Sequence, residues 1–186
     1  LATYVSCLDS NGNVLAEAFA RKVRENTEYG VASTIQTVAP IDEIREYSLR
    51  LLRHFSYAGF TATEFKRDER DGKYKMIEIN SRPVLYHRLL PKAGVNVVDL
   101  IYANQVDGKL PEKQTAAVGV QWMHNTSEIY AFRKNLRSPD LTLSDFFRPY
   151  REPHVYGLPF WKDPRPLLSL CKRELSGFLG RTFNRG

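Results

Sequence analysis

Residues 61–83 read TATEFKRDERDGKYKMIEINSRP, and the register of the hairpin they predict decides the fold. Both arms are rich in strand formers and flank a turn containing Asp71-Gly72. A two-residue Asp71-Gly72 turn would set Phe65 opposite Glu78 and mix apolar with acidic side chains on one face. That arrangement is poor, because a one-residue slip exchanges the two faces of a strand. A three-residue loop of Arg70, Asp71 and a left-handed Gly72 sorts them instead. It pairs Glu64 with Glu78, Phe65 with Ile77 and Lys66 with Met76. One face then carries Phe65, Ile77 and Ile79 toward a core, and the other collects Glu64, Lys66, Glu78, Asn80 and Arg82.

That second face is chemical in character. Two carboxylates opposed across a hairpin repel each other unless a cation lies between them. Glu64, Glu78 and the amide oxygen of Asn80 are hard oxygen donors, suited to Mg²⁺ or Mn²⁺ and not to zinc or copper. Mg²⁺ commonly combines one or two carboxylates with substrate phosphates. Arg82, two residues beyond Asn80 in the same alternation, is placed to give a phosphate oxygen a bidentate pair of hydrogen bonds. The competing reading is an exposed ladder of Glu64, Lys66, Lys75 and Glu78 with little energetic value.

Upstream, ATYVSCL (2–8) and VLAEAFARKV (14–23) alternate around the turn residues DSNGN, and predict a hairpin. A polar loop containing Gly30 leads to TIQTVAP, a short strand ending at Pro40. From Asp42 the apolar residues fall at three- and four-residue spacing, predicting a helix from Glu43 to Tyr57 with Asp42 as N-cap and Gly59 as the left-handed stop. Downstream, Pro91 and Gly94 divide helical pieces at Tyr86 to Leu90 and Val97 to Val106. TAAVGVQWMH reads as a strand, EIYAFRKNL reads equally as strand or helix, and LLSLCKRELSGFLGRTF reads as a terminal amphipathic helix with Cys171 on its apolar side.

The composition is that of a folded domain: among 186 residues, 42% are hydrophobic and both charge signs are interspersed. A formal charge of +6 suits an anionic partner, and a nucleotide satisfies it as well as DNA. With no run of five basic residues, no nucleic acid is expected. Two cysteines, without CxxC spacing, fit a reducing cytoplasm, and no apolar stretch is long enough to span a membrane. The chain enters a strand-like run at once without an initiator Met, and is expected to be part of a longer polypeptide.

The string E-F-K-x(11)-E-I-N-S-R, from Glu64 to Arg82, resembles the metal-binding signature of the ATP-grasp superfamily, as in biotin carboxylase and the large chain of carbamoyl phosphate synthetase. The resemblance implies Glu64 and Glu78 as metal-bridging carboxylates that also hold the nucleotide, Asn80 as ligand of a second metal, and Arg82 as a contact to phosphate or an acyl-phosphate intermediate. Arg21, Lys22 and Arg24 look like the basic residues that follow the lid strand in biotin carboxylase, with Lys22 and Arg24 facing the reacting groups. A solvated strand edge is the other reading of these three. AGVNVVDLIYANQVDGKLP resembles the helix that follows the signature, and WKDPRP a late Asp-Pro element of carbamoyl-phosphate-synthase-like ligases.

The fold implied is α+β, the carboxy-terminal ATP-grasp subdomain with an antiparallel sheet flanked by helices over residues 1–125, and an extension over 126–186 packing on it. The reaction implied is ATP- and Mg²⁺-dependent ligation of a small carboxylate to an amine or thiol. Such enzymes also use an amino-terminal half, supplied in cis or by another subunit, so this chain alone is expected to be inactive. It can also form a homodimer through an exposed apolar interface. The alternative is a non-catalytic binding or regulatory module of the same fold, serving a nucleic acid or a partner protein. The four histidines have no ligand spacing, and only His87, five residues after Arg82, is near enough in sequence to approach a substrate.

Overall fold

The computed structural model describes residues 1–25, 32–125, 127–128, 144, 147–158, 163–166, 168–169 and 171–172. Strands β1 (Ala2–Leu8) and β2 (Val14–Glu25) form the opening hairpin, followed by β3 (Ala32–Thr37), helix α1 (Asp42–His54), β4 (Gly59–Arg67) and β5 (Tyr74–Asn80). Helices α2 (Leu89–Lys92) and α3 (Val97–Gln105) precede β6 (Gln114–Thr115), β7 (Gln121–Met123), a 3₁₀ turn (Arg148–Arg151) and β8 (His154–Tyr156). The strands make one sheet in the order β5-β4-β1-β2-β3-β7-β8, with β6 pairing β2 beside that path. The class is α+β as expected. The sheet is antiparallel through its main body, and the β2–β6 and β7–β8 pairs are parallel, which the sequence reading did not include.

Every residue of β1 is buried, because helices cover both faces of the sheet centre. On one face Tyr4, Phe19 and Phe65 pack with Ile44 of α1. On the other, Val5, Cys7, Ala18 and Ala62 pack with Leu89 and Leu90 of α2 and with Val97 and Leu100 of α3. Each large side chain so enclosed contributes roughly 1.5–3 kcal/mol. Asp9 closes the β1–β2 turn, its Oδ1 accepting the Asn11 and Asn13 amides at 2.9 and 2.8 Å. At the far end of the sheet Gly157 passes so close to Trp122 that a Cβ there would lie 3.1 Å from the indole ring.

The first helix differs from expectation at both ends. Its N-cap is Ile41, without a side-chain hydrogen bond, and Asp42 instead pairs with Arg45 at 2.5 Å from inside the first turn. The helix ends at His54, Ser56 with φ 48° is the first left-handed residue after it, and Gly59, also at positive φ (116°), opens β4. Asp42 and Glu43 at the start and Arg53 and His54 at the end complement the helix dipole. Glu43 also accepts the Tyr74 amide at 3.1 Å and so ties the helix to the second hairpin.

In that hairpin Glu64 faces Glu78 and Gly72 is left-handed at φ 71°, both as expected. The register beyond them is not. A bulge inserts Ile77, so Phe65 pairs with Met76, Lys66 with Lys75 and Arg67 with Tyr74. The loop is correspondingly longer, with Asp68 and Lys73 joined by a backbone hydrogen bond of 2.8 Å. Phe65 is fully buried, whereas Ile77, expected in the core, is exposed on the edge strand. The pieces TAAVGVQWMH contribute are β6 and β7. Beyond Glu128 the segment EIYAFRKNL lies outside the described residues, as does most of the terminal helix, and Cys171 is exposed, not packed in a core. No described helix is long and apolar enough to cross a membrane.

Glu17 on β2 is a buried carboxylate, its side chain 4% exposed, ringed by donors: Lys113 at 2.6 Å, Tyr4 Oη at 3.1 Å and Arg45 Nε at 3.2 Å. Burial alone would raise its pKa, but the Lys113 hydrogen bond and charge, with Arg45 and Tyr4, hold it below the usual value. A depressed folded-state pKa stabilises fully above the unfolded value, about 4.3, and loses that contribution as pH falls through the folded value. The melting temperature of the chain is therefore expected to drop as pH falls below about 4.3, and Glu17→Gln, measured by circular dichroism, should flatten that part of the profile while lowering stability at pH 7.

Candidate metal and phosphate site

The site lies on the sheet face opposite α1, where the two hairpins run side by side. Register places Glu64 between Thr3 of β1 and Glu78 of β5, and Asn80 opposite Ala62. Alternation therefore brings Glu64, Glu78 and Asn80 to one face, and the chain leaves the strand two residues before Arg82. A cleft of about 290 Å³ opens above them, lined by Glu64, Glu78, Asn80, Arg82 and Lys22, with Tyr86 and Trp122 among the residues enclosing it. Five of the six candidate residues thus converge on one cleft.

Glu64 is half-buried and Glu78 exposed. Among the described residues Glu64 makes no hydrogen bond or ion pair, and Glu78 accepts only the Asn80 amide, at 2.7 Å. That bond uses the nitrogen of Asn80 and leaves its amide oxygen to act as a ligand. Two facing carboxylates with no basic partner are a repulsive pair that a divalent cation would relieve. Among the described residues no group of three or more His, Cys, Asp and Glu side chains gathers to hold a metal. Two carboxylates and an amide fit a hard cation that completes its shell with water and phosphate oxygens, and do not fit a closed zinc site. Among the described residues the Arg82 guanidinium hydrogen-bonds only the Pro83 carbonyl, at 3.4 Å, and has no carboxylate partner, so its fork of donors can meet an anion.

The basic residues of β2 part company. Lys22 pairs with Ile35, but the next pairing joins Arg24 to Thr34, so a bulge at Val23 turns Arg24 to the opposite face. Lys22 reaches the cleft, 4.0 Å from Glu25. Arg24 does not. Its guanidinium lies 2.5 Å from Glu128, which also accepts the hydroxyls of Thr34 and, at 3.0 Å, Tyr150. The side chains of Arg24 and Glu128 are 9% and 6% exposed, an ion pair within the protein. Burial, followed by the Glu128 charge, pushes the Tyr150 hydroxyl up in pKa.

His87 does not line the cleft. It packs edge-on against Phe60 at 5.3 Å, and burial lowers its pKa. His124 is engaged with Ser127 Oγ at 2.9 Å. The residues that sequence reasoning missed are Tyr86 and Trp122. The signal for Tyr86 was present, since the i+2 alternation through Asn80, Arg82 and Val84 reaches it.

No protein-family profile and no curated protein matches the chain. Solved structures do resemble it. Rhizobium etli pyruvate carboxylase with acetyl coenzyme A is 22% identical over 52% of this chain and 9% of its own, with a TM-score of 0.45. The biotin carboxylase domain of Hydrogenobacter thermophilus 2-oxoglutarate carboxylase, in complex with MgADP, ADP and bicarbonate, is 20% identical over 64% of this chain and 28% of its own, with a TM-score of 0.46. The ATPase subunit of Aquifex aeolicus phosphoribosylaminoimidazole carboxylase is 19% identical over 55% of this chain and 32% of its own, with a TM-score of 0.43. These neighbours are biotin-carboxylase-type ATP-grasp proteins, and the chain spans from 9% to 32% of their lengths. The likeness is one of partial fold.

Removing one member of a buried ion pair strands the other charge, which costs about 3–5 kcal/mol. Arg24→Ala is accordingly expected to lower urea-unfolding stability by about 3 kcal/mol and leave Mn²⁺ affinity unchanged. Lys22→Ala should alter stability by less than about 1 kcal/mol and weaken phosphate binding in the cleft.

Proposed function

We propose that this chain is the metal- and phosphate-binding carboxy-terminal part of an ATP-dependent ligase, one that joins a small carboxylate to an amine or thiol through an acyl phosphate. The observation that carries the reading is the facing Glu64–Glu78 pair, without a basic partner among the described residues and sharing its cleft with Asn80, Arg82 and Lys22. The similar solved structures include one that holds MgADP and bicarbonate.

Phosphoryl transfer needs alignment and charge neutralisation more than covalent help. Mg²⁺ or Mn²⁺ held by Glu64, Glu78 and Asn80 would neutralise nucleotide phosphate oxygens and fix their orientation. Arg82 offers paired N–H donors to the phosphoryl group in transfer, and Lys22 adds a positive charge from the β2 side. The carboxylate to be activated would lie between Lys22 and Arg82. Arg24 has no part in this reading, since it is committed to Glu128 on the other face. The amino-terminal half that completes the nucleotide site is supplied in cis or by another subunit, and the free thiols of Cys7 and Cys171 suit a reducing cytoplasm.

Calorimetric titration of the polypeptide carrying this chain with a non-hydrolysable ATP analogue tests the assignment. Binding should require Mg²⁺, and Glu78→Ala, Asn80→Ala and Arg82→Ala should each weaken it at least about tenfold. Nucleotide binding indifferent to Mg²⁺ and to all three variants would sink the ligase reading and favour a non-catalytic binding module.

A further inference from the structure

We propose that Tyr86 is a positioning residue for the metal-binding carboxylates, its buried hydroxyl serving as the hydrogen-bond donor that orients Glu64 when a cation is bound. The inference rests on the ligase reading of the cleft and adds a group to it that no signature residue supplies.

Tyr86 is 6% exposed, and its hydroxyl oxygen is buried without a hydrogen-bond partner. A buried hydroxyl left unpaired forfeits the hydrogen bonds it made with water, so its presence asks for a partner that another state of the site provides. The ring itself is held in place. It meets Trp122 edge to face at 6.3 Å and packs in the same core as Leu89 and Leu90, so the hydroxyl cannot swing out to solvent. Packing alone would be served equally well by phenylalanine.

What surrounds the hydroxyl points to Glu64. The Thr3 hydroxyl lies near enough to offset part of the effect of burial on the phenol, yet falls short of a full hydrogen bond with it. Thr3 is also the cross-strand neighbour of Glu64. The charges of Glu64 and Glu78 both act on the phenol, reinforcing the effect of burial in holding it protonated and therefore able to donate. Of the two carboxylates, Glu78 already accepts the Asn80 amide, whereas Glu64 has no hydrogen bond among the described residues. A cation drawing the two carboxylates together would take one oxygen of Glu64. The other would then turn to Tyr86 Oη, which with Trp122 Nε1 is one of two buried donors lining the cleft without a partner among the described residues, and the one on which the Glu64 charge acts. Donors of this kind fix the orientation of the ligand they touch and raise metal affinity through it.

The test measures Mn²⁺ binding to the chain by loss of the free-ion paramagnetic resonance signal, for wild type, Tyr86→Phe, Glu78→Ala and Ile44→Val. Ile44 is fully buried in the other core, on the sheet face opposite the cleft, so its variant reports destabilisation alone. The proposal expects Tyr86→Phe to weaken Mn²⁺ binding about tenfold with little change in melting temperature, and Ile44→Val to lower the melting temperature while leaving Mn²⁺ affinity within about twofold of wild type. Unchanged affinity in Tyr86→Phe, with binding lost in Glu78→Ala, overturns the role of Tyr86 and leaves the metal site standing. Equal losses in Tyr86→Phe and Ile44→Val overturn it too, since the effect would then follow stability. No Mn²⁺ binding by wild type overturns the ligase reading itself and the proposal with it.

Discussion

The register of β4 against β1 is the constraint from which the rest follows. Because β1 is buried along its whole length, a slip of one residue would carry Phe65 off the Tyr4–Phe19 side and put a glutamate into the core against α1. The two cores therefore hold Glu64 on the cleft face without any bond to its carboxylate. The β5 strand then needs only to pair with β4 at one position to set a second carboxylate beside the first. Charge repulsion at that pairing is tolerated because apolar packing, a few residues away on the opposite face, is worth more than an exposed pair of like charges costs.

The sequence was legible where burial dictates pattern. The facing of Glu64 and Glu78, the left-handed Gly72 and the amphipathic α1 all follow from period and turn chemistry, and all are present. It was not legible where an edge relaxes that pattern. Among the described residues β5 has no strand on its outer side, so Ile77 can be extruded as a bulge at the cost of exposing one apolar side chain, and simple alternation cannot foresee that choice. The same holds for the bulge at Val23. Lys22 and Arg24 have the parity of one face, and only the pairing with β3 reveals that they serve different ones.

The separation of Lys22 from Arg24 divides the lining of the cleft from architecture within three residues of chain. One cation is left facing the cleft. The other is tied into a buried network with Glu128, Thr34 and Tyr150 that joins the sheet to residues far along the chain. Motif reasoning treats neighbouring basic residues as a unit, whereas a single extra residue in a strand is enough to give them unrelated tasks. Tyr86 is the converse case, an aromatic residue that reads as core and is core, yet places its one polar atom at the edge of the site.

Because β5 is the outermost strand, Glu78 and Asn80 sit on the part of the sheet with the fewest neighbours to hold it. Glu64, by contrast, stands on a strand paired on both sides. A cation shared across this pairing would act as a clasp between a rigid element and a frayable one. Ligand occupancy and the exchange of the β5 amides with solvent would then be two views of one equilibrium: the emptier the cleft, the more often the edge strand would open, and each opening would dismantle two of the three proposed ligands.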